Sequence, residues 1–162
     1  MRKRILLIVL AILVIIQFIR PARNISSTQS ANAIEKHYEV PDTVKKMMEV
    51  SCNDCHTNNT DYPWYTNIQP VGWWMQWHVN DGKRHVNYEE FASYTPKRQY
   101  KKLEETAEMV KEGEMPLGSY LWIHHDAKLS EQQKQLFIHW ATQLKDSIGK
   151  KYNIQPEKEE RR

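Results

Sequence analysis

Cysteine is scarce in this sequence. Only Cys52 and Cys55 occur among the 162 residues, so no thiol remains for a disulfide framework elsewhere. A structural zinc site normally needs four Cys or His ligands from two paired knuckles, and the chain has a single Cys-x-x-Cys pair. No strand pattern precedes Cys52, which argues against a thioredoxin-like redox pair. The chain also contains no internal repeats.

Acidic residues are absent from the first 23 residues, which carry five basic ones. The positive net charge of +3 therefore comes from residues 1–23. Residues 24–162 have 18 basic and 20 acidic residues, a net charge of about −2. This distribution does not indicate a nucleic-acid-binding surface, and we expect no nucleic-acid partner.

A near-continuous apolar run of 15 residues extends from Ile5 to Ile19. Its length lies between that of a signal-peptide core and that of a full membrane span. The nearest small-residue cleavage site, at residues 31–33, comes too late, so we expect an uncleaved single-pass helix over residues 1–23. A cleaved secretory signal is the alternative. The basic start places the N-terminus in the cytoplasm and the rest on the periplasmic side of the inner membrane.

The sequence Cys52-Asn53-Asp54-Cys55-His56 is a Cys-x-x-Cys-His box, the attachment pattern of c-type haem. Its two thiols can form thioethers with the two vinyl groups of a haem, and the adjacent imidazole can ligate the iron. The box predicts one covalent haem c per chain, and such haem is attached outside the cytoplasm. A disulfide between the two cysteines is an alternative, although it would close a very small loop.

Several patterns predict helices and none predicts strands, so we expect an all-α fold. An apolar face runs from Asp42 to Val50, directly before the box. Thr95-Pro96 starts a second helix that Gly113 ends, and Ser130 opens the last one with a capping box. The last helix carries an apolar stripe expected to pack on the helix before the box, with Trp140 at the crossing. That stripe consists of Leu136, Phe137, Trp140, Leu144 and Ile148.

Two loops are predicted from local signals. Asp81-Gly82 indicates a turn, and His124 and His125 are expected to be exposed loop residues that precede the last helix.

The second axial ligand is predicted to be Met115, which follows Gly113 and is stiffened by Pro116. The alternatives are that Met115 fills a gap in the core, or that His78 or His85 binds the iron. The stretch between residues 62 and 94 holds four of the six tryptophans. Its rings supply the core, or wall the haem and exclude water.

These motifs together resemble the bacterial haem-binding-domain family of c-type cytochromes, with the helix order of a class I cytochrome c. The resemblance covers about residues 40 to 142. It implies covalent haem, export and a role in electron transfer or haem sensing, with Tyr62 and Trp64 among the haem-contacting residues. It rests on residues Cys52 to Asn58, Tyr62 to Tyr65, Trp77-His78-Val79, Gly82, Asn87 and Met115-Pro116.

We therefore expect a small cytochrome c-like domain over residues 40–149, joined by a tether at 24–39 to the anchor and followed by a charged tail at 150–162. Its predicted function is that of a monohaem electron carrier, not an enzyme, that serves redox partner proteins of a respiratory or periplasmic chain. The alternative is a haem-based peroxidase or gas or redox sensor with a labile distal ligand. The lack of a second haem box disfavours a self-contained di-haem peroxidase.

Overall fold

The computed structural model describes residues 1–155. Within this range the fold is all-α, as predicted, with seven α-helices, four short 3₁₀ helices and no strand. The α-helices are α1 (Arg2–Ile16), α2 (Ile34–His37), α3 (Asp42–Ser51), α4 (Asn53–His56), α5 (Val71–His85), α6 (Pro96–Glu112) and α7 (Glu131–Tyr152). The 3₁₀ helices are Trp64–Asn67, Tyr88–Ser93, Tyr120–Trp122 and His125–Ala127.

The predicted start and end of α6 and the predicted start of α7 are confirmed. Thr95 caps α6 by accepting from the Arg98 amide, and Gly113 ends it in the left-handed conformation with φ of 78°. That backbone region favours glycine. Ser130 forms the predicted capping box with Gln133 at the start of α7.

The hydrophobic core lies mainly between α3, α6 and α7. Most of the apolar face of α7 packs on α6, whereas the sequence predicted that it would pack on α3, the helix before the box. Contact with α3 is present as well, and the Trp140 indole donates to the Glu39 carbonyl just before that helix, at 3.1 Å. Leu136 was predicted in the stripe but is exposed. The largest fully buried side chains are Phe91, Phe137, Leu103, Ile148 and Val79.

The predicted anchor, residues 1–23, forms α1 over Arg2–Ile16, and none of the side chains in that helix is buried. Among residues 1–155, no helix combines the length and the apolar character needed to cross a membrane. The segment predicted as a tether is folded: it contains α2, and Ala33 and Ile34 are buried.

Two other boundaries differ from the sequence prediction. Asp81 and Gly82 lie inside α5 and form no turn. The last helix continues through residues 150–152 of the predicted charged tail, and residues 156–162 of that tail lie outside the described residues.

Replacing the cap residue of α7, Ser130→Ala, should lower the free energy of unfolding by about 0.5–2 kcal/mol, because the Gln133 amide loses its acceptor. Urea unfolding followed by circular dichroism measures this. Ser147→Ala, at an exposed position inside the same helix, is the control. It should leave stability unchanged or slightly raised, since alanine favours helix interiors. Equal losses in both variants would contradict the capping role.

Candidate functional site

The Cys-x-x-Cys-His box forms its own helical turn. Helix α3 ends at Ser51, and Cys52 leaves the helical conformation with φ of −130°. The amides of Cys55 and His56 then both donate to the Cys52 carbonyl, at 3.1 and 3.0 Å. Residues three apart on a helix share a face. The two cysteines therefore lie on one side of a single turn.

Both thiols are free. Burial, with a smaller contribution from the neighbouring cysteine, raises the pKa of Cys52 to about 12. Burial and the Asp54 carboxylate raise the pKa of Cys55 to about 11. Both groups are thus neutral thiols at physiological pH, and the small-loop disulfide is not formed. Among residues 1–155, no three Cys, His, Asp or Glu side chains converge to hold a metal ion.

The imidazole of His56 is held in one orientation and one tautomer. Its Nδ1 lies 3.0 Å from the Val86 carbonyl oxygen. A carbonyl only accepts, so Nδ1 carries the proton and Nε2 keeps its lone pair. Burial lowers the pKa of His56, partly offset by hydrogen bonds to the Val86 and Gly82 backbones, so the ring is neutral. A neutral, oriented imidazole is the form that binds iron.

Helix α5 passes very close to the box at Gly82. A Cβ atom added there would lie 2.6 Å from the Cys55 carbonyl oxygen and 3.1 Å from the Cys55 Cβ. Only glycine permits this approach without a shift. The close packing also explains why Asp81-Gly82, which resembles a turn signal, continues a helix.

The loop after the box is fixed by a polar cluster that the sequence did not reveal. The Asn58 amide donates to Glu89 Oε2 at 2.6 Å, and its side chain donates to Glu90 Oε1 at 2.9 Å. Asn87 donates to the Asn58 side-chain oxygen at 2.8 Å. Burial would raise the pKa of Glu90, but hydrogen bonds from Asn32 and Asn58 lower it overall, so the carboxylate is ionised.

A second cluster joins a distant loop to the box. The Tyr120 hydroxyl donates to Asp54 Oδ2 at 2.7 Å. The Tyr120 ring stacks on His124 at 4.0 Å between centroids, and His124 Nε2 lies 3.2 Å from the Tyr65 hydroxyl. His124 is therefore half-buried, contrary to the expectation of an exposed loop residue, whereas His125 is exposed. No spacing signal links Tyr120 to Asp54 in the sequence.

The structure places the predicted axial candidates in different environments. Met115 is half-buried against the same hydrophobic core on which Cys52 packs, and its amide donates to Met109 O at 3.2 Å. His78 lies between two tryptophan rings, with centroids 4.4 and 4.7 Å away. His85 is exposed and lies 3.7 Å from Asp81.

The two aromatic residues predicted to contact haem, Tyr62 and Trp64, contact residues outside the box. The Tyr62 hydroxyl accepts from the Asn24 amide and donates to Gln76, each at 2.7 Å. Trp64 is 75% exposed, with its ring packed edge-on against Tyr65. Tyr62 thus serves the junction between the N-terminal segment and α5.

Gly82→Ala should lower the free energy of unfolding by about 1–3 kcal/mol, because the added methyl group meets the Cys55 carbonyl and separates α5 from the box. Chemical denaturation measures this loss, which runs against the better helix propensity of alanine. Gly118→Ala is the control, since nothing lies within 4 Å of an added Cβ there. An unchanged stability for Gly82→Ala would show that the contact is loose.

A family model described as haem-binding domain matches residues 11–143. The match begins inside α1 and includes the box, both polar clusters and most of α7. No curated protein and no solved structure matches the chain.

Proposed function

Because the chain belongs to the haem-binding domain family, we propose that it is a membrane-anchored, periplasmic monohaem c-type cytochrome that carries single electrons between redox partner proteins. One observation carries this proposal. The box places two free thiols on one side of a single turn, beside an imidazole whose Nε2 retains its lone pair.

These residues fit a covalent haem. Cys52 and Cys55 would hold it through thioethers, and His56 through Nε2. The haem, when bound, supplies one-electron exchange between ferric and ferrous iron. The Val86 carbonyl keeps the His56 ring oriented and makes Nε2 a better donor, as outer hydrogen bonds do at other metal sites. Gly82 lets α5 pack directly on the turn.

The covalent link is tested by extraction. Denatured protein, made alongside haem-attachment machinery, should keep its colour in acidified acetone, and the mass of the chain should rise by one haem. The Cys52→Ser, Cys55→Ser double variant should release the haem into the solvent, because serine forms no thioether. If the unchanged chain also loses its colour, the c-type assignment fails while the family membership stands.

We propose Met115 as the second axial ligand. Support comes from its half-buried position against the core that also contacts Cys52, on the segment that leaves α6. A thioether ligand favours ferrous iron, so the potential should lie above that of a haem with two histidine ligands.

Met115→Ala should leave the haem attached, lower the reduction potential and admit external ligands such as cyanide. Electron paramagnetic resonance of the oxidised protein measures the change of ligand set. Met109→Ala, at a half-buried methionine on α6, is the control and should leave the spectrum unchanged. An unaltered spectrum in Met115→Ala together with an altered one in His78→Ala would assign the ligand to the tryptophan-flanked histidine.

The membrane anchor is supported by α1 and by the segment that follows it. The side chains of α1 are unburied although 12 of its 15 residues are apolar. Cleavage after Ala33 would cut a buried position, since Ala33 is 2% exposed and the neighbouring Asn32 carbonyl accepts from the Ala92 amide. These contacts favour retention of the N-terminal segment. The basic residues before the apolar run favour a cytoplasmic N-terminus, and so a periplasmic domain.

A further inference from the structure

The end of α1 is hydrogen-bonded directly to the start of α5. The Gln17 side chain donates to the Gln69 carbonyl at 3.1 Å and accepts from the Gln69 amide at 2.9 Å. Nearby, the Trp73 indole donates to the Ile19 carbonyl at 2.7 Å. Three hydrogen bonds thus join the apolar run to the folded domain.

The next residues extend this connection to the box. The Arg23 guanidinium donates to Asn67 at 2.6 Å and lies over the Tyr62 ring. The Asn24 side chain donates to the carbonyl of Thr57, the residue after His56, at 2.9 Å. The path from α1 to the box is therefore a series of fixed contacts and contains no free linker.

An exposed apolar stripe lies beside this junction. It comprises Ile68, Val71 and Trp74, which are 47%, 39% and 47% exposed. Val71 and Trp74 are three apart on α5 and so share a face of that helix. Ile68 precedes α5, and its carbonyl accepts from the Gly72 amide at 3.0 Å. Phe18 and Ile19, at the end of the apolar run, are 83% and 58% exposed.

The stripe lies at the opposite end of α5 from the box. Helix α5 meets the box at Gly82, 11 residues after Val71. At about 1.5 Å per residue the two positions are roughly 16 Å apart along the helix. Trp74, the member nearest to the box, lies eight residues before Gly82, about 12 Å along the helix, so the box turn itself does not cover the stripe.

We propose that this stripe, together with Phe18 and Ile19, lies in the interfacial layer of the membrane that receives α1. The inference rests on the proposed membrane anchoring of the chain. It adds that the domain lies against the bilayer and that the box is held at a fixed distance from it. A protein partner or a second copy would leave these residues away from lipid.

The chemistry of the junction suits lipid. Tryptophan favours the membrane–water interface, where its ring meets acyl chains and its N–H finds a polar partner. Arg20 and Arg23 border the same junction and line a cavity of about 160 Å³ with Gln69 and Gly72. Their positive charges match the phosphates of lipid headgroups. The two hydrogen bonds between Gln17 and Gln69 fix the position of the stripe relative to the end of α1.

The test uses the full chain in vesicles of phosphatidylcholine and phosphatidylglycerol. Some of the lipids carry a photoreactive diazirine on one acyl chain, close to the headgroup. After illumination, mass spectrometry of peptides locates lipid adducts. We expect adducts on the Ile68–Trp74 peptide as well as on residues 1–20. The peptide that contains Leu136, which is 45% exposed on α7, serves as the internal control and should carry none.

The two proposals fail in different ways. Adducts confined to residues 1–20 would overturn the docking of the stripe and leave the anchor intact. A chain with no adducts on residues 1–20 would refute the anchor, and with it the docking. Adducts at equal levels on the Leu136 peptide would show nonspecific labelling and also overturn the inference.

A variant tests whether the Gln17–Gln69 hydrogen bonds, and not mere closeness to α1, hold the stripe against the membrane. Gln17→Leu keeps the apolar run but removes both hydrogen bonds to Gln69. It should reduce the adducts on the stripe while those on α1 persist; the Trp73–Ile19 and Arg23–Asn67 hydrogen bonds remain in this variant. Gln135→Leu, at an exposed position on α7, is the matched control and should leave the adduct pattern unchanged. Unchanged labelling of the stripe in Gln17→Leu would refute the claim that the Gln17–Gln69 hydrogen bonds hold the stripe against the membrane.

Discussion

The packing of α5 against the single turn of the box is the contact on which the site depends. At Gly82 the two backbones approach too closely for any side chain, and the chain just after α5 presents the Val86 carbonyl to His56 Nδ1. One helix thus sets both the position of the turn and the tautomer of its imidazole. A neutral His56 ring with Nε2 available needs the Val86 carbonyl as the acceptor for its Nδ1–H. Without this acceptor the buried N–H would be unsatisfied and the ring would have no fixed orientation.

The polar clusters around the box extend the same constraint. Buried polar groups are stable when every member finds a partner. Glu89 and Glu90 fix the loop that follows the box through Asn58, while Asp54, within the box, receives the Tyr120 hydroxyl. Segments from before α2 to the loop after α6 therefore converge on residues 52–58, the box and the two residues that follow it. This convergence fixes the orientation of the box.

The N-terminal segment is packed against the domain and is not the flexible tether that the sequence predicted. The sequence predicted a tether over residues 24–39 because serine and polar residues are frequent there. The structure instead buries Ala33 and Ile34 and joins Asn24 to the loop after the box. Polar side chains that bond across a protein cannot be distinguished by composition from those that bond with water. A segment so fixed gives the domain one orientation relative to its proposed anchor.

Features that depend on neighbouring residues could be predicted from the sequence: the box on one turn, the Thr95 and Ser130 caps, the glycine that ends α6, and the all-α class. Such signals act within one or two turns, so spacing alone reveals them. The partners of the box depend on tertiary contacts and could not be predicted, since His56 and Val86 are 30 residues apart, and Asp54 and Tyr120 are 66 apart. The tertiary structure also decided the role of Gly82, because a glycine that permits close packing and one that permits a turn look identical in sequence.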